Sequence, residues 1–96
     1  MLPNEIELPR PEDFCRGTYK TMSGNQCCFL GWKYTVFLRL NKTESLKFNC
    51  VAIEEAKKLK MVGSSIPSVN DNLNHTAKKL ALWFERTIER MGYDIG

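Results

Sequence analysis

The last third of the chain carries the clearest rhythm of apolar and polar positions. Ala77, Leu80, Phe84, Ile88 and Met91 recur at intervals of three, four, four and three, the spacing of one buried helical face. Gly92 follows where a left-handed residue ends a helix, and Tyr93 stands where an apolar side chain folds back onto Ile88. Asp71, Asn72 or Asn74 is placed to cap the start of this helix. A second pattern sets Phe48, Ala52, Ala56 and Leu59 on one face. Thr43 or Ser45 would cap that helix, Glu54 and Lys58 would pair on its wet side, and Lys57, Lys58 and Lys60 suit its negative end. Gly63-Ser64-Ser65 reads as its stop. Ile66-Pro67-Ser68-Val69 is expected to be extended, because proline disfavours helix in its own predecessor.

Residues 27–40 are the most apolar stretch, and two periods compete there. Trp32, Tyr34, Val36, Leu38 and Leu40 alternate with polar positions as in a strand, but Phe37 breaks the alternation. The helical reading puts Cys27, Leu30, Tyr34 and Phe37 on one face, with Cys28, Trp32 and Val36 beside them. We favour a buried helix, with a strand as the alternative. Upstream, Pro11-Glu12-Asp13-Phe14-Cys15-Arg16-Gly17 has the proline, acids and closing glycine of a helix of one or two turns. Residues 18–28 bracket the turn triplet Ser23-Gly24-Asn25 and suit a small β-hairpin or an ordered loop. Residues 1–10 contain Pro3 and Pro9 and no periodic pattern, so an extended N-terminal arm is expected there. The fold class that follows is mainly α: a single-domain bundle of three to four helices over residues 11–96.

Composition and charge narrow the setting. The 96 residues are 43 % hydrophobic and 26 % charged, the balance of an ordinary globular domain. No apolar run approaches the roughly 18 residues of a membrane helix. The opening residues carry neither a basic stretch nor an apolar one, so they do not read as a signal peptide, and a cytoplasmic protein is expected. Glu5, Glu7, Glu12 and Asp13 make the first residues acidic, while the rest of the chain is basic within a net charge of +3. A basic body suits an acidic partner.

Candidate chemistry is sparse. Cys15, Cys27, Cys28 and Cys50 contain no C-x-x-C pair, and with His75 they lack the knuckle spacing of a zinc site, so they read as buried thiols. A cysteine nucleophile would need His75 as its base, and nothing in the spacing pairs them. No glycine-rich phosphate loop is present. Neither an enzyme nor a cofactor is therefore expected, and Asn70-Asp71 reads as a helix cap before a ligand site. The suggestive feature is a stripe along the last helix, Lys79, Trp83, Arg86 and Arg90, which places an aromatic among basic residues at spacings of four, three and four. It could dock an acidic protein patch, or grip phosphates while the tryptophan stacks on a base.

Gly17-Thr18-Tyr19, Gln26-Cys27-Cys28-Phe29-Leu30-Gly31-Trp32, Val69-Asn70-Asp71 and Gly92-Tyr93 together resemble a pattern of small phage and prophage proteins. The resemblance spans residues 15–93 loosely and carries no activity with it. It implies that the C-C-x-x-G-W segment opens a buried helix, that Gly31 permits close packing, and that the setting is a virus or mobile element. The expected function is that of a small accessory protein that binds and modulates a host protein bearing an acidic patch. Nucleic-acid binding through the same stripe is the alternative.

Overall fold

The computed structural model describes residues 5–6, 8–18, 20–22, 26–37 and 40–95. Within them the protein is mainly helical. Its helices are α1 (Phe29–Val36), α2 (Lys42–Lys58), α3 (Ile66–Asp71) and α4 (Ala77–Arg90). A one-turn 3-10 helix covers Pro11–Asp13, shorter than the helix expected there. Two residues of the N-terminal arm, β1 (Glu5–Ile6), pair in parallel with β2 (Asp94–Ile95), so this part of the arm lies against the end of the chain. The region expected to form a hairpin holds an antiparallel bridge between Lys20 and Cys27, closed by a Thr21 N–H to Gln26 carbonyl bond of 2.9 Å. Its turn triplet, residues 23–25, lies outside the described residues.

Local chemistry sets the helix ends. Asn41 caps α2 rather than Thr43 or Ser45: its Oδ1 accepts the Glu44 N–H at 2.8 Å, and the Glu44 carboxylate accepts the Asn41 N–H at 3.5 Å. Asn41-Lys42-Thr43-Glu44 is thus a capping box. The helix stops at Lys58, short of Gly63. Lys60 adopts a positive φ of 59°, its N–H bonds the Lys57 carbonyl at 3.0 Å, and the Met61 N–H bonds the Ala56 carbonyl at 2.8 Å. These paired bonds make a Schellman ending with lysine where glycine usually stands. Gly63 serves a different purpose. Its φ is +152°, and a Cβ there would lie 2.7 Å from both the Val69 backbone nitrogen and Val69 Cγ2.

Residues 66–69 are helical, not extended. Ser65 caps α3 by accepting the Ser68 N–H, and Pro67 falls in the first turn, where its missing N–H leaves no helical bond unmade. Thr76 caps α4 through a 3.2 Å bond from the Lys79 N–H, displacing the three earlier candidates. Gly92, at φ 86°, ends α4 as the sequence suggests, and the Tyr93 ring lies 5.2 Å from that of Phe37.

The core is aromatic. Phe29, Phe48, Trp83 and Phe84 are fully buried and pack with Phe14, Phe37, Leu80 and Ile88 into one cluster. α1 is a helix, but its buried positions are Phe29, Gly31 and Lys33, followed by Phe37, whereas Tyr34 is exposed. The face expected from sequence is rotated because a lysine occupies the inward position one turn after Phe29. Lys33 Nζ donates to Ser45 Oγ at 2.7 Å and Asn49 Oδ1 at 2.9 Å, and it lies 5.3 Å from the Phe48 ring centre.

Candidate functional site

The stripe predicted along α4 does not form one surface. Trp83 is fully buried: its ring stacks on Phe29 at 3.8 Å, and its Nε1–H donates to the Ala52 carbonyl at 2.7 Å. The buried arc of α4 is wider than one row because α1 and α2 both supply partners for it, and Thr87, one turn on, is buried with it. Arg90 is committed to Glu54 at 3.3 Å and Glu55 at 3.1 Å. The expected Glu54–Lys58 pair is replaced by Lys58 to Glu55 at 3.2 Å. Lys79 is half-buried and Arg86 is exposed. The wet side of α4 instead carries Lys78, Leu82 and Arg86 at intervals of four.

Side chains capable of chemistry are engaged in holding the fold. His75 is buried; its Nδ1 lies 2.7 Å from the Val69 carbonyl and its Nε2 accepts the Val62 N–H at 2.9 Å. Those partners place the ring proton on Nδ1 and occupy both nitrogens. Cys28 caps α1, with its Sγ accepting the Gly31 N–H at 3.4 Å. Burial pushes its thiol above the ordinary range, outweighing the helix amides that pull it down. Burial raises the Cys15 thiol as well, helped by the neighbouring Cys28 and Cys27. Among the described residues no group of three His, Cys, Asp or Glu side chains is arranged to hold a metal ion.

Asn70 does cap a helix, but it is α1, and Asp71 supports it without capping any helix itself. Buried Asn70 accepts the Phe29 N–H through Oδ1 at 3.0 Å and donates through Nδ2 to the Cys15 carbonyl at 2.9 Å and to Asp71 Oδ1 at 3.0 Å. Asp71 Oδ1 also accepts the Gly17 N–H at 2.9 Å. One amide thereby ties the first turn of α1 to α3 and to the segment after the 3-10 turn. The sequence marked this pair as polar and turn-forming, but the orphan N–H it would satisfy lies 41 residues away.

Two features escape the sequence pattern altogether. Val62 and Leu73 are 63 % and 86 % exposed. Their loops are clasped together, because Val62 gives its N–H to His75 and its carbonyl accepts Asn72 Nδ2 at 3.4 Å. The Arg16 guanidinium donates to the His75 carbonyl beside them, and Lys60 precedes Val62 in its left-handed turn. The result is two exposed apolar side chains on hydrogen-bonded loops, with Arg16 bonded to the His75 loop and Lys60 two residues before Val62. The second feature is a cavity of about 360 Å³ between α1, α3 and the Gly17 segment, with Leu30, Ile66, Pro67, Cys28 and Asp71 in its walls. Compared with known proteins, the chain matches no family model, no curated protein sequence and no solved structure, so its site is read from its own residues.

Proposed function

We propose that this is a small non-catalytic accessory protein that docks onto another protein through the Val62–Leu73 face, with Arg16 and Lys60 meeting an acidic patch on that partner. The observation that carries the reading is the pair of exposed apolar side chains held on clasped loops. Exposed apolar groups with a charged rim are the composition of a docking surface, and a fixed backbone lowers the ordering cost of association. The engagement of His75, Asn70 and the Cys28 thiol in structural bonds supports a binding protein over an enzyme. No described helix is long and apolar enough to cross a membrane. The resemblance to phage and prophage proteins suggests a host protein as the target, met in the cytoplasm. Nucleic-acid binding is the weaker reading, since Trp83 is stacked inside the core instead of facing a base.

The test is capture of the partner from host lysate, followed by titration with variants. Leu73→Asp and the double variant Arg16→Glu with Lys60→Glu are each expected to weaken binding at least tenfold, while the Arg86→Glu variant binds as the parent does. Unchanged affinity in folded Leu73→Asp protein would reject this face. Tight, steeply salt-dependent retention on DNA would favour the nucleic-acid reading.

A further inference from the structure

The cavity between α1 and α3 has walls of mixed character, and their chemistry selects a class of ligand. Leu30, Ile66 and Pro67 give it apolar surface, and Asp71, itself exposed, contributes a carboxylate at its mouth. Asp71 Oδ1 is occupied by the Gly17 and Asn70 N–H groups, whereas Oδ2 makes no hydrogen bond or ion pair with any described residue. The remaining polar lining is engaged elsewhere: Asn70 makes three hydrogen bonds, and the Cys28 sulfur takes the Gly31 N–H.

An anion would meet the Asp71 charge with no cation to offset it. A purely apolar molecule would rest on Leu30, Ile66 and Pro67 but would make no use of the exposed Asp71 carboxylate beside them. A metal ion would find one carboxylate, with the Asn70 amide and the Cys28 sulfur already bonded, and no described cluster completes a ligand set. An organic ammonium satisfies both parts, since its N–H groups can donate to Oδ2 while its carbon body covers the apolar walls. The volume is at the small end of ligand pockets, enough for a body of about one ring.

We infer that the α1–α3 cavity is a binding site for a small organic cation, an alkyl- or arylammonium whose charged end pairs with Asp71 Oδ2 and whose apolar body rests on Leu30, Ile66 and Pro67. This site is independent of the Val62–Leu73 docking face and stands or falls separately. The experiment is a ¹H–¹⁵N titration of the whole chain with benzylamine, benzyl alcohol and benzoate, three probes of similar shape and different charge. Benzylamine should give saturable shifts at the Gly17, Thr18, Leu30, Asn70 and Asp71 amides, with a dissociation constant of about 1 mM. Benzyl alcohol should bind at least tenfold more weakly, and benzoate should leave those amides unmoved. Asp71→Asn keeps an oxygen for the Gly17 and Asn70 donors but removes the charge, so it should stay folded and lose at least tenfold in benzylamine affinity. Three results would each overturn the assignment: no saturation by benzylamine at about 10 mM, equal affinity for amine and alcohol, or parental benzylamine binding by folded Asp71→Asn. Should that variant fail to fold, the amine–alcohol comparison on the parent protein decides the matter alone.

Discussion

Lys60 holds a backbone conformation that a side chain disfavours, at φ 59°. The left-handed region costs a residue with a Cβ on the order of 1 kcal/mol relative to glycine, though glycine also loses more chain entropy on folding. Lys60→Gly is therefore expected to stabilise the protein by about 0.5–1 kcal/mol, read as a higher urea midpoint at unchanged slope. Because Lys60 also flanks the docking face, the same variant should bind the captured partner less tightly. A gain in stability with a loss in affinity is the combination to look for. Single residues were also where the sequence misled. Trp83 sits one helical position from the Leu80–Phe84–Ile88 row, so spacing alone could assign it either to the core or to a basic stripe, and only the Phe29 ring and the Ala52 carbonyl decide between them. Lys33 is the converse case. Its charge reads as a wet position, yet Ser45 and Asn49 satisfy it inside the fold, and burial lowers its affinity for a proton.

At the scale of elements, the contact between α2 and α4 turns on Glu55, a carboxylate only 3 % exposed. Burial alone would raise its pKa, but hydrogen bonds and charge from Lys58 and Arg90 outweigh that and hold it below the ordinary value near 4.5. The folded protein thus binds this proton less readily than the unfolded chain does, so the contribution is present above about pH 4.5 and is lost as pH falls through the lowered folded value. Urea midpoints measured from pH 6 downward should fall more steeply for the parent than for Glu55→Gln, which lacks that titration. Arg90→Glu should destabilise at pH 7 far more than Arg86→Glu, because it removes a partner of a buried carboxylate and adds a like charge. Equal melting temperatures for the two reversals would show that the Arg90–Glu55 contact does not hold the helices together. The helices themselves were largely legible, since α4 and α2 announce their periods, although the cap of α2 falls on Asn41 and not on Thr43 or Ser45. α3 was not, because the proline rule that disfavours helix at Ile66 competes with the Ser65 cap and the fitness of Pro67 for a first turn. The clasp between Val62, Asn72 and His75 had no periodic signal, being built from loop backbone and side chains ten and thirteen residues apart.

Across the whole molecule, the aromatic cluster joins segments that are remote in the chain. Phe84 of α4 has its ring centre 6.3 Å from Phe14 beside the 3-10 turn, 5.2 Å from Phe29 of α1 and 6.2 Å from Phe48 of α2. Trp83 stacks on the same Phe29, and Trp32 ties α1 back to the Asp13 carbonyl by a 2.9 Å bond. No one helix buries its apolar face alone, so loosening any member exposes the others. Phe84→Ala removes the ring common to three of these contacts and should cost about 3–5 kcal/mol. Set against the 5–15 kcal/mol or so typical of a domain, that leaves a marginally stable protein with a sharply lower urea midpoint. The parent and the variant should each unfold in one step, with the helical circular dichroism and the tryptophan fluorescence changing together, because both tryptophans report on contacts made by α1. If fluorescence shifted before helicity in the parent, the cluster would be two cores instead of one. If Phe84→Ala left the midpoint in place, the face that spacing identifies most clearly would not be the one that holds the fold.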